Sequence, residues 1–101
     1  MPPVSYRFLL NEEAQLAVWF LTERGEVTSY AVVLLGRHQG EWSPVRVYDN
    51  AHGQNEVHRH TLKGGKQAAE PFHQGAAAEA MRAARDEVLA GYETMVEAWR
   101  R

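Results

Sequence analysis

"VTSYAVVLLG", residues 27–36, decides how the first half of this 101-residue chain is read. In an extended strand successive side chains point to opposite faces. Val27, Ser29, Ala31, Val33 and Leu35 therefore share one face, and Thr28, Tyr30, Val32 and Leu34 the other. The stretch begins by alternating polar and apolar residues, then becomes apolar on both faces. That pattern predicts a central strand covered on both sides, with a partner as one source of the second cover.

The segments around it fit an antiparallel sheet. "LAVWFLT" (16–22) is rich in β-branched and aromatic residues, and "ERGEV" after it supplies Gly25 where a tight hairpin needs positive φ. "SYRFLL" (5–10) is an earlier apolar run stopped by "NEEAQ". "RHQGEW" places a turn at Gly40, and "SPVRVYDN" (43–50) opens with Pro44, which cannot donate to a strand ladder and so belongs at a strand's start. "VHRHTL" (57–62) alternates again, "KGGK" (63–66) reads as a turn, and "QAAEPF" is ambiguous between loop and an extended run as far as Pro71. The expected strands are about 5–10, 16–23, 27–36, 43–50 and 57–62.

From Gln74 onward the period changes. Ala77, Met81, Ala84, Val88, Tyr92, Met95 and Trp99 recur at steps of three and four, with Leu89 and Val96 widening the stripe. This predicts an amphipathic helix over about 75–100, roughly 37 Å long at 1.5 Å per residue. Gly91 interrupts it at a cost of up to about 1 kcal/mol relative to alanine. A sheet must bury its apolar face, and the helix is the available cover. The expected fold class is α+β: a single domain over 1–101, an antiparallel meander of four to five strands covered on one face by a long C-terminal helix.

Composition excludes several functions. With no cysteine there are no disulfides, thiolate metal sites or cysteine nucleophiles. No apolar run approaches 18 residues, so no membrane helix is expected. The start "MPPVSYRFLL" lacks the features of a signal peptide, making a small cytoplasmic protein of bacterial type the expectation. The net charge of −2 argues against nucleic-acid binding by bulk electrostatics. Residues 45–66 differ: Arg46, Arg59, Lys63 and Lys66 outnumber Asp49 and Glu56, and this is the chain's net-positive segment.

The same segment holds "YDNAHGQNEVHRHT" (48–61), with His52, His58 and His60 inside nine positions. On a strand His58 and His60 project to one side and Arg59 to the other. Paired imidazoles suit acid–base work at neutral pH, one taking a proton and the other giving it. They also suit a metal such as zinc, copper, iron or nickel, with His52, His58 and His60 as the ligand set. Asp49 could orient a histidine or complete a metal shell. A polar surface loop is the third reading, since Asp49, Asn50 and Gly53 are good turn residues. No G-x-S-x-G, phosphate-loop or H-E-x-x-H pattern is present.

The arrangement resembles the TumE-type family of small toxin–antitoxin proteins and related small uncharacterised bacterial domains. Tyr48, Asp49 and Asn50 match its Tyr-Asp-Asn, and His58 and His60 match its His-x-His. The likeness covers residues 26 to about 100 loosely and 47–61 specifically. "AHG" with His52 is closer to the related domains than to the toxins. The resemblance implies a toxin-like component acting on RNA or translation and neutralised by an antitoxin protein. On that reading His58 and His60 form the acid–base pair, with His52 and Asp49 assisting. Arg46, Arg59, Lys63 and Lys66 are the candidate phosphate contacts, and no cofactor is required. The rival expectations are a dimerising or partner-binding module and a histidine-ligated metal protein.

Overall fold

The computed structural model describes residues 2–101. Five long strands run β1 (Val4–Asn11), β2 (Ala14–Glu23), β3 (Glu26–His38), β4 (Glu41–Asp49) and β5 (Glu56–Thr61). Two short ones follow, β6 (Gly65–Lys66) and β7 (Glu70–Pro71), and then one helix, α1 (Ala77–Arg100). The five long strands pair with their sequence neighbours as an antiparallel meander, and β6 and β7 both pair with β5. The fold is α+β. "KGGK" is only partly a turn, because Gly65 and Lys66 already lie beside Thr61 and His60. The Glu70–Pro71 pairing resolves the ambiguous "QAAEPF" as an edge strand broken in its middle.

The turns explain the register. Arg24 and Gly25 between β2 and β3 both have positive φ (52° and 80°), as do Gln39 and Gly40 between β3 and β4 (52° and 81°). Two consecutive positive values match the type I′ hairpin, whose twist suits antiparallel strands. In the first hairpin, the Asn11 side chain accepts the Glu13 N–H at 2.7 Å.

The register sorts the faces. Val18 pairs with Val32 and Leu16 with Leu34, while Val32 also pairs with Tyr48 and Tyr48 with Val57. These side chains point at α1, where Ala80, Ala84, Val88, Met95, Val96 and Trp99 complete the core. A register shift beside Leu34 and Leu35 lets Val45 join them. Gly36 is needed where β3 passes beneath Trp99: a Cβ there would lie 2.7 Å from the indole and 2.8 Å from Val45. The helical stripe is displaced from its expected line, since Ala80 is fully buried whereas Leu89 is 43% exposed.

Among the described residues no layer covers the opposite face of β3 at Ala31 and Val33, so double cover, expected from the apolar run at 31–35, is supplied there on one side only. Ala31 and Val33 are half-buried there, next to Ala17 and to Trp19, which is 39% exposed. Beyond them β1 is an edge strand with Val4, Tyr6, Phe8 and Leu9 exposed. Tyr6 and Phe8 stack with ring centroids 6.1 Å apart.

Candidate functional site

The hairpin β4–β5 builds the site. Its register sets Asp49 opposite Glu56 and Val47 opposite His58. All four therefore project from the open face, the side away from the helix. The carboxylates of Asp49 and Glu56 and a ring nitrogen of His58 come within 4.8 Å of one another. His58 is 7% exposed, and its Nδ1 lies 3.4 Å from the Gln67 carbonyl. A carbonyl can only accept, so Nδ1 carries the proton and Nε2 the lone pair.

Tyr48 and Asn50, which flank Asp49, have structural work. Tyr48 is fully buried, stacks edge-on with Phe72 at 4.8 Å, and donates its phenol to Glu87. Burial, followed by this bond to Glu87, holds its phenol well above the usual range. Asn50 replaces one residue of ladder beyond the end of β4: its Oδ1 accepts the Tyr30 N–H at 3.1 Å, and its Nδ2 donates to the Thr28 carbonyl at 3.0 Å. Asn55 accepts the Tyr30 phenol at 2.8 Å and donates to the carbonyls of His73 (3.2 Å) and Gly75 (3.1 Å). It thereby ties the loop to the segment entering α1.

The three clustered histidines occupy different surroundings. His60 shares the open face with His58, as strand alternation requires, and its Nε2 is buried without a partner. Loss of water, then the charges of Lys66 and His58, holds its pKa below the ordinary imidazole value. His52 is on the loop with its side chain 75% exposed, and its Nδ1 is 3.3 Å from Glu56. The residues whose ligand atoms converge are thus Asp49, Glu56 and His58, not His52, His58 and His60.

The four basic candidates do not converge either. Arg59 pairs with Arg46 in register on the helix-facing side, and its guanidinium binds Glu70 at 2.5 Å. Arg46 has its Nε buried without a partner. Lys63 is exposed in the turn before β6, and Lys66 lies directly across from His60 on the open face. Only Lys66 therefore accompanies the histidines.

Glu56 is the site residue that sequence reasoning missed. Its signal was present in the alternation Glu56, His58, His60. Ending β4 at 50 and starting β5 at 57, however, closes the hairpin on Asn50 and Val57 and leaves Glu56 in the loop.

A polar depression of about 490 Å³ lies beside the cluster, between loop residues such as Gln54 and Asn55 and the Pro71–Ala77 segment. A second, of about 320 Å³, is on the open face between Arg7, Ala17, Trp19 and Val33. The helix is not long and apolar enough to cross a membrane.

Residues 1–101 match a protein family described as "Domain of unknown function (DUF7718)". No curated protein and no solved structure matches the chain.

Proposed function

We propose, for a chain that belongs to the DUF7718 family of unknown function, that the protein is a binding module that docks a second protein on its open sheet face. One observation supports this reading above the others: the part of the open face around Trp19 is largely apolar, and among the described residues no layer covers it. Ala17, Ala31 and Val33 line it, Trp19 stands 39% exposed beside them, and Leu9 at its edge is 63% exposed. Singly scattered apolar side chains are ordinary on a surface, whereas a contiguous patch of this kind marks an interaction site. A large aromatic beside small residues is also the composition of a binding hot spot.

The simplest partner is a second copy of the chain. Sedimentation equilibrium of the purified protein is expected to show a concentration-dependent dimer. Trp19→Glu, which puts a charge into the patch and touches none of the core, is expected to weaken that dimer at least tenfold with unchanged helix content. A wild-type protein that stays monomeric, with Trp fluorescence unchanged over the same concentration range, would count against self-docking on this face.

A second reading is a toxin-like component of a toxin–antitoxin module acting on RNA, its partner then being an antitoxin. It is supported by the shared face of His58 and His60, with Lys66 across from His60. Induced expression in a bacterial host is expected to slow growth, and His58→Ala combined with His60→Ala to relieve the effect. Equal, unimpaired growth with both versions would remove the support for a histidine-dependent toxin.

A further inference from the structure

We infer that Asp49, Glu56 and His58 form a binding site for a divalent first-row transition-metal ion. The inference goes beyond docking on the open face and rests on different residues. Its basis is the fixed convergence of three ligand groups on two hydrogen-bonded strands. Asp49 and Glu56 are directly opposite one another, His58 is two residues further along β5 on the same face, and their ligand atoms lie within 4.8 Å.

The electrostatics favour a cation. Like charges directly opposite across an antiparallel pair are destabilising, and both carboxylates are half-buried. Among the described residues no lysine or arginine forms an ion pair with either. Glu56 has only His52 beside it, and Asp49 accepts the backbone N–H of Ala51 at 3.3 Å. On the hairpin itself Arg46 and Arg59 are on the far side of the sheet, Arg59 already paired with Glu70, and Lys66, on the open face across from His60, forms no ion pair with either carboxylate.

An independent feature points to a ligand as well. His58 is more than nine-tenths buried, and its Nδ1–H is directed to the Gln67 carbonyl. Metal-binding histidines use this arrangement, in which a carbonyl fixes the tautomer and presents the other nitrogen as a lone-pair donor. His52, held against Glu56, is the outer partner of that carboxylate.

The donor set names the class of ion. Two carboxylate oxygens and one imidazole nitrogen suit zinc, manganese, iron, cobalt or nickel, whereas calcium and magnesium prefer oxygen alone. Donor atoms around a zinc ion at 2.0–2.2 Å lie about 3.4 Å apart in a tetrahedral shell, so side-chain rotations of about an ångström close the set. Three protein ligands leave positions for water or for a group from a bound partner.

The test uses the full chain without a histidine tag, stripped with a chelator and titrated with Zn²⁺ by calorimetry, with Mg²⁺ as control. One Zn²⁺ per chain is expected, with a raised unfolding temperature and affinity well above that for Mg²⁺. Asp49→Asn and Glu56→Gln, close in shape to the native residues, should each weaken binding at least tenfold. His58→Gln should abolish it, and His60→Gln should leave it unchanged. Circular dichroism confirms folding, and the two carboxylate variants keep the test decisive if His58→Gln does not fold. Absence of stoichiometric Zn²⁺, equal affinity for Mg²⁺, binding that survives Asp49→Asn, or binding lost in His60→Gln would each overturn the assignment.

Discussion

Trp99→Ala is expected to lower the midpoint of thermal unfolding by about 15 °C or more, at a cost of about 3–5 kcal/mol. Trp99 is 2% exposed near the end of α1, and its indole lies over the one β3 position where a side chain would collide with it. His38 meets the ring edge-on at 6.4 Å, and the Trp99 carbonyl accepts the Leu62 N–H at 3.0 Å. The residue therefore ties the end of the helix to both the centre of the sheet and the end of β5. Truncation leaves a cavity that the paired strands cannot collapse to fill, and a domain of this size has only about 5–15 kcal/mol in hand. Gly36→Ala is the complementary change: a methyl 2.7 Å from the indole costs about 1–3 kcal/mol by overpacking. The same Gly36→Ala change should cost less in the Trp99→Ala background, because the two sites share one space. Thermal unfolding of the four proteins by circular dichroism measures each term; strict additivity would mean that Trp99 and Gly36 are not in contact.

Tyr48→Ala is expected to cost a similar amount, about 3–5 kcal/mol, and Tyr48→Phe only about 1 kcal/mol. Most of the difference is packing. Tyr48 is fully buried against Phe72, whereas Glu87, which accepts its phenol, is exposed and returns to water when the hydroxyl is removed. The phenol has a further, pH-dependent role. Burial and the bond to Glu87 raise its pKa in the folded protein, and burial, with the charge of Asp49, pushes Tyr30 up to about 12 from 10.0. A group whose folded pKa lies above its unfolded value contributes stability that is complete below the unfolded value. That contribution is lost as pH rises through the interval. Stability should therefore hold up to about pH 10 and fall between about pH 10 and 12, more gradually in Tyr48→Phe. Urea midpoints across this range test the slope; a flat profile would contradict the coupling of these phenols to folding.

The sheet and helix were legible because each rests on a local pattern. The switch of period at residue 74 marks α1 to within three residues of its observed start, and Gly25 and Gly40 mark two hairpins at their true positions. What was not legible depends on partners distant in sequence. The apolar run at 31–35 shows that β3 is central but not that one of its faces lacks cover. Leu89 belongs to the helical stripe by spacing alone, and the direction from which the sheet approaches leaves it in solvent.

The candidate site divides along the same line. Alternation places His58 and His60 together from sequence, and they do share a face. Which carboxylates join them depends on the closing pair of the β4–β5 hairpin. A boundary error of one residue at each strand end is enough to miss Glu56. Asn50, matched in the sequence as part of Tyr-Asp-Asn, extends the backbone ladder with its side-chain amide, a role no spacing reveals.

The outer edge of β1 has a consequence of a different kind. Its unpaired amides and carbonyls can hydrogen-bond to any extended peptide, whatever its side chains, so this border attracts strands without selecting them. Changing Trp19 alters the flat of the sheet and leaves that border as adhesive as before. Handling the protein at high concentration is therefore a backbone problem. A proline or lysine placed along Val4–Asn11 is the change that addresses it.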